Sequence, residues 1–276
     1  TGDGGNVQVV VAQGATVGTK GRNAPAMFLQ SIGGGGGRIT TDAGAYIGTA
    51  GGRGQAGTID VTIDGAVSAT GVGSAGIMAQ GQGDNSSNAA INITVGSTGL
   101  ISAGTDSNET GDFGQTAAIY INHGGTGQPL SSDPSTPIVN TVTNNGQILT
   151  YGSVRNAVAI YSSAGYTKVF NNAGATLSGD VFLTADGGQG CFTNAGTFND
   201  GNSVLVGACG VTNTGVINVG KTGVVGSTLT IGGPYGGGGK LVFDADFVGG
   251  NGDQLVVNGD AQVGDTITVT ARSMRR

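Results

Sequence analysis

The chain has 276 residues, of which 58 are glycine, five proline and none tryptophan, with a formal net charge of −6. At 37% hydrophobic and 10% charged it is too apolar and too weakly charged for a disordered chain, and its glycines keep no three-residue period, which excludes collagen. Eleven basic residues against 17 acidic ones leave no basic stripe for nucleic acid, and no run of 18 apolar residues offers a membrane-spanning helix.

The start, TGDGGNVQVV, lacks the charged-then-apolar pattern of a leader peptide, so an exported protein would have lost its leader from this chain. The first recurring unit is VVVAQGATV (9–17): a β-branched run, a short polar stretch ending in Gly14, one variable residue, then an aliphatic one. APAMFLQ (24–30) follows, a small-residue lead into an apolar strand. Then come five consecutive glycines, Gly33 to Gly37. A phosphate loop needs Gly-x4-Gly-Lys-Ser/Thr. SIGGGGGRI supplies Arg38 and Ile39 instead, and the later GGPYGGGGKL sets Leu241 after Lys240. The run is expected to be a corner or an extruded loop. Gly44, in TTDAGAYI, reads as the next turn glycine.

VTIDGAVSATG (61–71) repeats the unit around Gly65 and ITVGSTGLISAG (93–104) around Gly99, with SAGIMAQ (74–80) between them. In IDVTID, Ile59, Val61 and Ile63 alternate with Asp60, Thr62 and Asp64, the period of a strand with one apolar face. Asp60 and Asp64 form an outward pair of carboxylates, as do Asp244 and Asp246 later in the chain. Glycan-cleaving sites use carboxylate pairs, but outward strand positions are polar in any case. The insertion AGTDSNETGDFG holds Asp106, Glu109 and Asp112 as candidate cation ligands, without the spacing of an EF-hand or a G-G-x-G-x-D repeat.

TAAIYIN (116–122) and NAVAIYSS (156–163) put Tyr120 and Tyr161 at equivalent places, which predicts a stacked ring pair. Between them HGGTGQPLSSDPSTP (123–137) holds three of the five prolines. Its His123, Gln128, Pro129, Leu130, Asp133, Pro134 and Pro137 are the candidate contact residues of an exposed loop, because loops on rigid scaffolds often carry binding. One histidine and two cysteines cannot complete a structural zinc site, and no nucleophile can be assigned a histidine partner. The sequence calls for no cofactor and no catalytic set.

VTNNGQIL (142–149), FNNAGATL (170–177), FTNAGTF (192–198) and VTNTGVIN (211–218) carry the unit on through Gly146, Gly174, Gly196 and Gly215. Corners of this kind are expected to need φ > 0, which Gly accepts freely and Asn tolerates. The asparagines at one phase, Asn144, Asn172, Asn194 and Asn213, are expected to stack as a ladder. The predicted apolar core comprises Ile59, Val61, Ile63, Val67, Ile91, Ile93, Val95, Ile101, Val142, Ile148, Phe170, Phe192, Phe198, Val211 and Ile217. Cys191 and Cys209 flank one repeat. Setting Phe192 against Val211 places Cys191 against Gly210, one residue from Cys209 and within reach of a disulfide. The alternative is a pair of buried thiols.

Units of about 19 to 25 residues, each too small to bury its own apolar face, must stack on their neighbours. No ten-residue stretch has helical periodicity, which excludes alternating strands and helices. The predicted fold is all-β, a right-handed parallel β-helix (β-solenoid) of about ten to twelve coils, roughly 50 to 60 Å long at about 4.8 Å per coil. Residues 1–248 read as solenoid repeats and 249–276 as terminal coils.

AMFLQSIGGGGG (26–37) resembles the A-x-x-x-x-Q-S-I-G-G-G-G-G repeat of bacterial autotransporter passenger domains. GGNGDQLVVNGDAQVGDTITVTA (249–271) resembles the segment where such passengers enter their pertactin-like C-terminal part. The resemblance implies export across the outer membrane of a Gram-negative bacterium, with an outer-membrane β-barrel attached in the full-length chain and no membrane insertion of this segment. With a repetitive scaffold and no catalytic set, the expected protein is secreted or cell-surface and non-enzymatic, an adhesin or structural stalk whose partners are a host or neighbouring-cell surface or extracellular matrix. Two other classes stay open: a self-assembling extracellular fibre or surface-layer subunit, and a polysaccharide lyase or hydrolase.

Overall fold

The computed structural model describes residues 2–35, 40–41, 44–45, 54–83, 90–104, 116–122, 139–151, 158–163, 165–185 and 189–273. It is a right-handed parallel β-helix with three long sheets and no helix among the described residues. The first sheet stacks nine strands: Val7–Val11, Ile59–Ile63, Ile91–Val95, Val139–Asn144, Tyr166–Asn171, Gln189–Asn194, Val211–Asn213, Tyr235–Gly237 and Ala261–Val263. A turn leads from each of these into a strand of the second sheet, from Thr16–Thr19 to Thr266–Ser273. The third sheet has eight strands, from Met27–Ile32 to Gln254–Val257. Residues 249–273 continue the same stack, since Gln254–Val257 pairs with Thr228–Ile231 and Thr266–Ser273 with Lys240–Asp246.

Among the described residues eight coils contribute to all three sheets and a ninth to the first two, against the ten to twelve expected. At about 4.8 Å per step the stack is about 40 Å long. The shortfall comes from insertions between rungs. Phe192 pairs with Val211, a step of 19 residues, whereas Val7 pairs with Ile59, a step of 52. Gly44 is not a coil anchor: Gly44–Ala45 pairs antiparallel with Thr40–Thr41 in a separate hairpin.

One apolar column cluster fills the interior. Fourteen of the fifteen predicted core residues are buried, from Ile59 at 0% exposed to Val61 at 3%. The exception is Phe170, which is half-buried on the outer face while its neighbour Val169 takes the core position and pairs with Val142 and Phe192. Burying a Val, Leu, Ile or Phe side chain is worth about 1.5 to 3 kcal/mol. The stack therefore rests on continuity of this column rather than on any one coil.

Most of the predicted anchor glycines are required by crowding, not by a left-handed backbone. A Cβ at Gly146 would lie 2.3 Å from the Gly96 carbonyl oxygen, and one at Gly215 would lie 2.2 Å from that of Gly196. Only Gly14 and Gly174 among the predicted anchors have positive φ, +82° and +84°, with open space around them. None of the ladder asparagines has positive φ. In the glycine run, Gly33 packs on the backbone of Gly54 and Gly34 has φ +83°, so its described part is a corner.

Candidate functional site

The interior asparagines form the most ordered polar array. Asn144 donates from Nδ2 to Oδ1 of Asn171 at 2.8 Å, Asn171 to Asn194 at 2.7 Å, and Asn194 to Asn213 at 2.8 Å. The second N–H of each of the first three reaches the backbone carbonyl of Thr176, Thr197 or Val216 on the next coil. All four side chains are 0% exposed. The predicted member Asn172 is not among them. It lies one residue further along, in the turn, and donates to Asn145 at 2.7 Å in a short outer rung. The turn after Asn171 holds one more residue before its glycine than the turn after Asn144 does, so alignment on glycine shifts both Asn171 and Val169 by one position.

The ladder ends on a carboxylate that the sequence pattern did not mark. Asn213 donates to Asp265 Oδ1 at 2.8 Å, two coils on. The intervening rung is Gly237, where a Cβ would lie within 1.9 Å of the Asn213 carbonyl oxygen. Burial, and next the Asp265 carboxylate beside it, push the Tyr235 phenol well above its usual range.

Asp60, Asp244 and Asp246 are held in structural hydrogen bonds, and Asp244 is buried, at 6% exposed, instead of standing on an open outer face. Asp60 Oδ1 accepts from Asn92 at 2.9 Å, and Asp64 lies past the strand end in a turn. Asp244 accepts from the Gly223 N–H at 3.0 Å and pairs with Arg272 at 2.7 Å. Asp246 Oδ1 accepts the N–H groups of Val248 and Gly249, closing the turn after Lys240–Asp246. Two further aspartates staple successive coils at the corner between the second and third sheets. Asp180 Oδ1 accepts from the Asn202 and Ser203 N–H groups, and Asp200 from the Ser178 hydroxyl and the Thr222 N–H. Asp180 is 6% exposed, and desolvation raises its carboxyl above the usual range although both N–H bonds oppose this. These staples fall in irregular corners, where no strand period points to them.

On the outer face of the third sheet, Tyr120 and Tyr161 stack at 4.9 Å and 17°, as their equivalent positions imply, and Phe182 meets Tyr161 edge-on at 6.5 Å. Each tyrosine spends one ring face on the other. The outer face of the first sheet carries a column of Thr62, Thr94, Thr143, Phe170, Thr193 and Thr212. Cys191 and Cys209 are disulfide-bonded, with Cα atoms 5.4 Å apart, which excludes the buried-thiol alternative.

The candidate contact residues His123, Gln128, Pro129, Leu130, Asp133, Pro134 and Pro137 lie outside the described residues, as do Asp106, Glu109 and Asp112. Among the described residues no group of three or more His, Cys, Asp or Glu side chains is arranged to hold a metal, and no helix is long and apolar enough to cross a membrane.

Comparison with family models, with curated proteins and with solved structures returns no match. What the chain does must be argued from its own scaffold.

Proposed function

We infer that the chain is a non-enzymatic β-helical stalk, exported to the cell surface or secreted, that holds contact loops away from the surface it is attached to. The observation that carries this reading is the continuation of the three sheets from coil to coil across insertions of very different length. Such a scaffold keeps each inserted segment at a fixed height along a stiff axis, which serves adhesion better than turnover. The disulfide supports an oxidising, extracellular setting. The likeness of AMFLQSIGGGGG and of residues 249–271 to autotransporter passengers supports export across the outer membrane of a Gram-negative bacterium. Of the aspartates proposed for glycan cleavage, Asp244 and Asp246 are engaged in holding coils and turns together, which weighs against that pair as a catalytic site.

The contact surface in this reading is the proline-rich insertion 123–137, and its partner is a host or neighbouring-cell surface or the extracellular matrix. Beads coated with the purified chain should bind cells or matrix, and deleting 126–136 should abolish binding while leaving thermal unfolding unchanged. Unchanged binding after the deletion removes the loop from the proposal. Polysaccharide cleavage that is lost in Asp60→Asn or Asp244→Asn would replace the stalk by an enzyme.

A further inference from the structure

The disulfide does not sit inside the scaffold. Cys191 lies in Gln189–Asn194 between the inward-facing Gly190 and Phe192, so its side chain points out of the first sheet. Cys209 belongs to the exposed turn that leads into Val211–Asn213. The two sulfurs are unequal. Cys209 is exposed and Cys191 half-buried. The Tyr166 hydroxyl lies 2.9 Å from Cys191 Sγ and 3.3 Å from Cys209 Sγ, and the Gly190 carbonyl oxygen lies 3.1 Å from Cys209 Sγ. Lys168 is the register partner of Cys191 on the adjacent strand, and its Nζ lies 5.9 Å from the centre of the Tyr166 ring. The phenol thus contacts both sulfurs, closer to Cys191, and Lys168 flanks Cys191 in register with its ammonium over the same phenol ring.

Thiol–disulfide exchange is governed by access to the attacked sulfur and by the stability of the thiolate that leaves. Both criteria select the same direction here. We propose that Cys191–Cys209 is a thiol-exchange site, at which a small external thiolate attacks Cys209 Sγ and Cys191 leaves as the thiolate. The attacking sulfur forms a new S–S bond to Cys209 as the Cys209–Cys191 bond breaks, and its electron pair passes to Cys191 Sγ. No net oxidation or reduction occurs. The Tyr166 O–H donates to the departing sulfur, and the Lys168 ammonium lowers the energy of the charge that develops there. Because the strand hydrogen bonds Phe192 N–H to Gly210 and Val211 N–H to Pro234 do not involve the sulfurs, the coil stays laddered while Cys209 carries the adduct. The site thereby takes an aliphatic thiol covalently onto the surface of a folded scaffold.

The test uses the intact, oxidised 276-residue chain with cysteine as the thiol probe, acid quenching, alkylation of the freed thiol and peptide mass mapping. The expected result is the cysteine adduct on Cys209 and the alkyl group on Cys191. Tyr166→Phe should slow exchange about tenfold, from loss of one hydrogen bond to a charged group, and Lys168→Met should slow it and reduce its sensitivity to salt. In denaturant all three proteins should react at one rate, which separates the local effect from altered stability. Adducts mainly on Cys191, equal adducts on both sulfurs, or exchange only after unfolding would each overturn the proposal in the unsubstituted chain alone. An unchanged native rate in folded Tyr166→Phe would overturn the role of the hydroxyl.

Discussion

Asn213 and Asp265 are joined by a 2.8 Å hydrogen bond that spans two coils, over a rung occupied by Gly237. Every amide of the interior ladder donates toward the C-terminal end, and the carboxylate accepts the last of these bonds. Replacing Asn194 by Ala removes an acceptor from Asn171 and a donor from Asn213 in a fully buried setting. The cost should be about 3 kcal/mol or more, because each buried polar group left unpaired costs about 1 to 3 kcal/mol. Asn172→Ala, in the outer turn, should cost below about 1 kcal/mol. Chemical denaturation of the two variants checks the assignment, and equal losses would contradict it.

Phe192 and Phe198 meet edge-on at 5.4 Å in the core of the sixth coil. Truncating Phe192 to Ala should cost about 3 to 5 kcal/mol, the range for a buried aromatic that leaves a cavity. Phe170→Ala, on the outer face, should cost much less. A thermal-unfolding comparison of the pair reads out which face each strand position occupies.

Reducing Cys191–Cys209 opens a closed loop with a sequence separation of 18 residues. The loss should be about 3 kcal/mol, chiefly through greater freedom of the unfolded chain. Intact mass with and without reductant should differ by two alkyl groups after alkylation under denaturing conditions. Alkylation of both cysteines without reductant would show that the bond is not formed.

Burial raises the Asp180 carboxyl above its ordinary value of 3.8, so the folded chain holds this proton more tightly than the unfolded chain does. Its contribution to stability is present below pH 3.8 and is lost as pH rises through the folded-state value. Asp180→Asn keeps an oxygen that can accept from Asn202 and Ser203 and has no charge to desolvate. The variant should match the parent in acid and exceed it at neutral pH. Melting temperatures measured from pH 3 to 7, about the usual carboxylate range and above it, test this. A gap that shrinks with rising pH would refute the sign.

The architecture was legible because the coils obey two local rules at once. Strands such as Ile59–Ile63 alternate strictly, and their partners recur with the same apolar phase. The pairing of Cys191 with Cys209 was legible for the same reason, since their interval contains no insertion. What could not be read was the phase of a strand beside a lengthened turn. Alignment on glycine sets Phe170 and Asn172 one residue out of phase, because the core side chains and not the glycines keep the register. The stapling aspartates, and the reach of Asp265 past Gly237, depend on corners whose shape follows from neighbouring coils and not from their own sequence.

The steps of 19 and 52 residues between paired strands have a further consequence. Contour length and axial rise are independent in this molecule, so the chain behaves like a rack whose slots have a fixed pitch whatever is mounted in them. Residues added between paired strands lengthen the chain without lengthening the stack. On the proposed stalk reading, the corners from which such segments leave stay a whole number of strand separations apart, about 4.8 Å each.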